Sequence, residues 1–328
     1  MLLALAPLAG TANAASTTRL SASENVGAAL AWSQATFADG TAPTVLLARD
    51  DLFADSLASG AAQGAASAPL LLTDGDVVDP RVQVELRRLG AETVVLLGGP
   101  VALSAAVVTQ LESAGFDTER LRGATRVETA VAISQRFFPT PTRAIIARAF
   151  HTDEPTQAFA DSLATGAYSA ATNKPILFTQ TGVLTGATRE YLRSTAITEV
   201  VVAGGTGAVS DAVVTELRGM GIEVRRISGE NRFATAAAMA NDRGFASAAR
   251  AERVILTEGA TPDAWADGFA AAIQSAGSGA PLVLSANANL PSETQAFIAN
   301  ANGRIGLVCG PFVEAAACTA ASQAMGNE

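Results

Sequence analysis

Three aspartates recur with one spacing: Asp55, Asp161 and Asp267 stand 106 residues apart, each closing an aromatic-Ala-Asp triplet that begins at Phe53, Phe159 or Trp265. Carboxylates at such regular positions suggest general acid–base work, which needs a second group placed to complete it. Each copy supplies only one, so the expected role is helix capping, where a carboxylate meets unpaired N–H groups and the positive end of the dipole. Metal-assisted hydrolysis needs histidines and carboxylates converging on one ion. The chain has a single histidine, His151, in a loop that only one copy carries. Cys309 and Cys318 add two sulfurs, nine residues apart. Two sulfurs and one distant imidazole do not make a zinc site, so no metal and no cofactor is expected. The cysteines are read either as a disulfide, permissible in an exported chain, or as two buried thiols.

Nucleophilic serine chemistry lacks its G-x-S-x-G elbow. Gly98-Gly99 and Gly204-Gly205 end apolar runs and precede helices. Their amides are placed to cradle an anion, but tight strand-to-helix turns explain them more simply. The dinucleotide fingerprint G-x-G-x-x-G is absent. Arg126 and Arg232, again 106 apart, open two helices. A cation there needs a partner, either a carboxylate of the neighbouring copy or a ligand.

These residues sit in elements that themselves repeat. FADSLASGAAQGAASAPLLLT, FADSLATGAYSAATNKPILFT and WADGFAAAIQSAGSGAPLVLS begin at Phe53, Phe159 and Trp265, with Pro69, Pro175 and Pro281 in register. A fixed period means one structural unit used three times. Each copy reads as a small-residue helix, a loop, and a proline leading into a short strand, a place where a missing N–H does no harm. The triplets after the prolines are apolar at consecutive positions, as in a strand buried on both faces of a parallel sheet. Helices are predicted over 25–34, 53–66, 80–89 and 104–114, and strands over 44–48, 70–73 and 93–97. Strand–helix alternation specifies right-handed βαβ units. The expected fold class is α/β: three tandem repeats, each a small parallel, Rossmann- or flavodoxin-like sheet flanked by helices. Short connections between the copies imply close packing with pseudo-threefold symmetry. The expected divisions are 15–119, 120–225 and 226–328.

A chain of 328 residues with 49% hydrophobic and 16% charged residues can bury a large core. Its net charge of −9 argues against nucleic acid as partner. An anionic polymer must then be held by local donors rather than by the overall field. Residues 1–14, with an apolar run and Ala12-Asn13-Ala14, read as the remnant of a signal peptide cleaved before Ala15. No later run is long enough to span a membrane.

Taken together, the motifs resemble the cell wall-binding repeat 2 family of Gram-positive surface proteins. The matching features are R-L/I-x-G-x-x-R-x-x-T-A from Arg120 and from Arg226, F-A-D-S-L-A in copies one and two, the proline-led strands, and the V-V-x-x-G-G strand ends with a later serine (Ser104, Ser210). Copy one departs with Asn25 and Ala28, and copy three has Gly310-Pro311 in place of the second Gly-Gly. The resemblance implies a secreted, wall-associated, non-catalytic protein that anchors non-covalently to an anionic secondary cell-wall polymer or a peptidoglycan-associated glycan. It also carries over an I-L-L anchoring motif, at Leu70, Leu71, Leu72, Ile176, Leu177, Phe178, Leu282, Val283 and Leu284, with Phe178 and Val283 departing from it. Three weak, equivalent sites on one body would raise apparent affinity together. The rival expectations are a wall-glycan-modifying enzyme and a structural surface-layer protein.

Overall fold

The computed structural model describes residues 16–151, 155–242, 253–300 and 306–326; the leader expected over 1–14 lies outside them. Strand β1 (Thr17–Arg19) comes first. The first unit then runs α1 (Asn25–Thr36), β2 (Thr44–Arg49), α2 (Ser59–Ala66), β3 (Leu70–Thr73), α3 (Pro80–Leu89), β4 (Thr93–Leu97), α4 (Ala105–Ser113) and β5 (Asp117–Leu121). The second repeats it as α5 (Arg126–Phe137), β6 (Arg143–Arg148), α6 (Ala160–Thr172), β7 (Ile176–Thr179), α7 (Gly186–Ser194), β8 (Glu199–Ala203), α8 (Asp211–Gly219) and β9 (Glu223–Ile227). The third has α9 (Arg232–Ala240), β10 (Arg253–Glu258), α10 (Ala264–Ala271), β11 (Leu282–Ser285), α11 (Ser292–Ala299), β12 (Gly306–Cys309) and α12 (Ala315–Ala324).

Local chemistry explains many of these ends. Asp79 caps α3 by accepting from the Arg81 N–H at 2.8 Å, Pro80 fills the first turn, and Gly90 closes the helix at φ +68°. The carbonyls of Pro69, Pro175 and Pro281 accept from Leu46, Ile145 and Ile255, so each proline enters the sheet by its acceptor alone. The helix expected from Phe53 begins only at Ser59, because 54–58 form a turn.

The described residues form three four-stranded parallel sheets, ordered β3-β2-β4-β5, β7-β6-β8-β9 and β11-β10-β12-β1. The last strand of each sheet is the piece of chain that immediately precedes the next unit's first helix. The third sheet takes its last strand from the other end of the chain: Thr17, Thr18 and Arg19 pair with Leu307, Val308 and Cys309. The repeat is thereby closed into a ring.

Helices α2, α6 and α10, with the short turn 272–275 that extends α10, pack on one another along the pseudo-threefold axis. Their small residues allow the approach. A Cβ on Gly60 would fall 2.5 Å from the Cα of Gly166, and one on Gly64 would fall 2.6 Å from that of Ala170. Phe53, Phe159 and Trp265 gather where these helices begin, with Phe53 edge-on to Phe159 at 5.1 Å and 6.4 Å from Trp265. Such aromatic contacts add to burial. The repeated aromatic is thus part of the joint between units.

Candidate functional site

The repeated aspartates do not cap their helices. The N-cap positions of α2, α6 and α10 belong to Ala58, Phe159 and Asp263, none with a side-chain capping bond. Each carboxylate turns instead toward the first helix of the following unit. Thr129 on α5 donates to Asp55 at 2.9 Å. Thr235 on α9 bonds Asp161. Trp32 on α1 donates its indole N–H to Asp267 at 2.7 Å. The threonines are anchored in turn, accepting from the amides of Gly123 and Gly229 at 3.1 Å. The motif residues Asp, Gly and Thr are therefore one inter-unit clasp. Copy one has Ala28 in place of the threonine, and Trp32 supplies the missing donor.

The glycine turns fit the same clasp. Gly98 and Gly204 adopt φ of +103° and +92°, and a Cβ on either would sit 2.4 Å from the Oδ2 of Asp55 or Asp161. Their amides are spent on the carbonyls of Leu121 and Ile227. Gly99 and Gly205 have open space around them. Positive φ and close carboxylate approach account for the first glycine of each pair.

Arg126 does not form the expected ion pair with a carboxylate of the neighbouring copy. It donates to the carbonyl of Ala149 at 2.9 Å and lies over the rings of Phe53 and Phe150, at 5.2 and 5.1 Å. Burial pulls its pKa down, and the charge of Asp55 opposes that. Arg232 donates to the carbonyl of Gly259 at 2.7 Å and to the Thr156 hydroxyl at 3.2 Å. Asn25 does the same work in unit one, reaching the Asp50 carbonyl at 2.7 Å.

Grooves open at these seams, outside the carboxyl ends of the two central strands, where the strand order reverses and α/β sheets take ligands. The groove between units one and two encloses about 460 Å³; Arg49, Arg122 and Arg126 line it together with Asp55, Val101 and Phe150. Arg49 is held by both oxygens of Asp51, while Arg122 is exposed. The groove between units three and one encloses about 790 Å³ and is lined by Glu24, Asp50, Asp51, Asp263 and Glu314, with Arg19. Between units two and three, Arg148 donates to the carbonyls of Gln157 and Gly207, at 2.6 and 3.3 Å. There the inserted loop, whose residues 152–154 lie outside the described ones, supplies Gln157, and the turn after β8 supplies Gly207. The two grooves whose lining is described are alike in fold and unlike in charge, contrary to the expectation of equivalent sites.

Charge inverts at one position. The last residue of the central strand is Arg49, Arg148 or Glu258. Asp161 is pushed up by burial, and Arg148 and Arg232 hold it back. Asp267 is fully buried with Glu258 beside it, and its pKa is raised to about 7, chiefly by burial.

The nine residues of the I-L-L triplets are at most 1% exposed. They form β3, β7 and β11, the edge strands, which α1, α5 and α9 cover. Their side chains face the core and not a groove. His151 lies in the loop after β6. Among the described residues no three of His, Cys, Asp and Glu gather as a metal site would require, and no helix is long and apolar enough to cross a membrane. Cys309 and Cys318 are disulfide-bonded, with Cα atoms 5.9 Å apart, tying β12 to α12.

Comparison with known proteins adds to this geometry. The chain is 30% identical over 197 residues to the N-acetylmuramoyl-L-alanine amidase LytC of Bacillus subtilis (strain 168), covering 60% of this chain and 37% of that protein. It is 28% identical over 174 residues to the Amidase enhancer of the same organism, covering 53% and 22%. The chain thus spans well under half the length of these two relatives. Its fold is similar to Cwp8 from Clostridium difficile, with TM-score 0.81, 24% identity, and 95% of this chain on 52% of that one. Cwp6 from Clostridium difficile gives the same TM-score of 0.81 at 18% identity, with 95% of this chain on 48% of that one. The family profile described as Cell wall binding domain 2 (CWB2) matches residues 3–108, 120–214 and 226–313. With three such matches along a ring of three parallel-sheet units, the chain belongs to the cell wall binding domain 2 family.

Proposed function

We propose that this chain is a secreted, non-catalytic anchor that holds an anionic secondary cell-wall polymer at the seam between its first two units. The observation that carries this reading is the charge of that groove: Arg126 and the exposed Arg122 face the single carboxylate of Asp55, beside an Arg49 already paired with Asp51. Guanidinium forks suit phosphate and carboxylate, and Phe150 and Val101 offer apolar surface to a sugar face. In a protein of net charge −9, this is the local concentration of donors that an anionic chain needs. The seam between units three and one, lined by five carboxylates, repels such a chain.

The I-L-L triplets then act on anchoring through the fold, since a buried edge strand positions the clasp without touching polymer. The relatives named for amidase work share only part of their length with this chain. Among the described residues the repeated carboxylates are engaged in clasps, and those of the acidic groove are spread along its opening.

The test is co-sedimentation with purified Gram-positive walls before and after acid extraction of secondary polymers. Binding should fall on extraction, fall with added salt, and fall again in Arg122→Glu, whose exposed side chain is no part of the core. Equal binding to intact and extracted walls would refute the polymer assignment.

A further inference from the structure

The chain contains 21 arginines and one lysine, Lys174. Copies one and three have Ala68 and Ala280 where it stands. It lies just before β7, at the end of unit two away from the seam grooves. There a pocket of about 260 Å³ opens between it and the loop that joins α5 to β6. Phe137, Pro139 and Pro141 wall that pocket, and Thr140, Thr142 and Asn173 line it as well. This is just below the range of about 300–1,000 Å³ for drug-sized sites, the scale of one sugar ring and not of a chain.

The charges around the pocket are matched except for one. Arg143 pairs with Glu199 at 2.9 Å, and Arg225 pairs with Asp242. Lys174 has only the face of Tyr168, its Nζ 5.0 Å from the ring centroid. Among the described residues no carboxylate pairs with it. Burial lowers its pKa, while the pulls of Glu199 and Asp242 are offset by Arg143 and Arg225. A half-buried ammonium without a counter-ion is a cost that a bound anion would remove. The hydroxyls of Thr140 and Thr142 and the Asn173 amide make no hydrogen bond among the described residues and remain for polar groups of a ligand.

We propose that unit two carries a second site of its own, in which one acidic sugar binds with its carboxylate on Lys174 and its ring face on the Phe137–Pro139–Pro141 wall. This site is independent of the seam groove and stands or falls apart from it.

The single lysine makes the test direct. Reductive methylation with ¹³C-formaldehyde keeps the charge and labels the Lys174 amine together with the chain's α-amine. The signal missing in Lys174→Ala identifies it. That substitution installs the residue of the sister copies, so the fold is kept. Methyl glucuronide, methyl glucoside and inorganic phosphate are titrated in parallel. The glucuronide should move the Lys174 signal and raise its titration midpoint, with the glucoside and phosphate at least about tenfold weaker. Read by calorimetry, which needs no label, Lys174→Ala should lose glucuronide binding by a similar factor, Lys174→Arg should retain it, and Arg122→Glu should leave it unchanged. Phosphate binding as well as glucuronide would remove the sugar assignment. A Lys174 signal unmoved by any of the three would overturn the site.

Discussion

The indole N–H of Trp32 meets Asp267 at 2.7 Å across the seam where α1 packs on the third unit. The backbone amides of Glu258 and Phe312 also point at this carboxylate, and the position filled by Arg49 and Arg148 in the other units is Glu258 here. Burial holds the Asp267 pKa at about 7, against 3.8 for a free aspartate. A carboxyl raised in the folded state favours the fold while it keeps its proton. Between pH 3.8 and about 7 the unfolded chain has released that proton and the folded chain has not, so stability falls as pH rises through this window. The loss amounts to a few kcal/mol. Urea unfolding across that range should show the fall in the wild type and a flatter profile in Asp267→Asn. Parallel profiles would contradict it.

Thr129→Val keeps the shape of the side chain and removes both its donation to Asp55 and its acceptance from Gly123. A half-buried carboxylate losing one donor costs about 1 kcal/mol. Thr235→Val should act alike at the next seam. Thermal melts of both variants read this directly, and unchanged midpoints would show that the clasp contributes nothing.

The two glycines of the turn after β4 should respond differently. Gly98→Ala places a methyl 2.4 Å from Asp55 Oδ2 at φ +103°, while Gly99 has nothing within 4 Å. The first substitution should destabilise by about 1–3 kcal/mol and the second by under about 0.5. Equal effects on denaturation would dismiss the proposed reason for the first glycine.

Opening the Cys309–Cys318 bond, by reductant or by a double Cys→Ala change, should lower stability by about 2–3 kcal/mol for so short a loop. Cys309 also accepts from the Leu20 amide at 2.9 Å. Hydrogen exchange at Leu20 should therefore quicken in the reduced protein before exchange in β2 does. Exchange rising evenly in both strands would mean that the bond has no local role.

Much of the fold was legible because its signals are local. Pro80 and Gly90 bound α3, consecutive apolar residues mark β3, β7 and β11, and the 106-residue step announces three units. What escaped were relations between units. Asp55 looked like a cap because its partner, Thr129, is 74 residues away. Arg126 looked like half of an ion pair, and found a carbonyl and two aromatic faces instead. The inequality of the grooves was visible as Arg49, Arg148 and Glu258, but only the register of β2, β6 and β10 makes those positions equivalent. Lys174 was in plain sight as the only lysine, but that no described carboxylate pairs with it needed the surrounding pairs to be placed.

Strand β1 finishes a sheet whose other three members are made almost 240 to 290 residues later. Synthesis order and assembly order are therefore opposed. The earliest-made strand must wait, with its edge unsatisfied, until the last unit has emerged to receive it. The ring shuts as one late event rather than growing unit by unit, and a chain released before β12 would carry a loose strand in search of another edge.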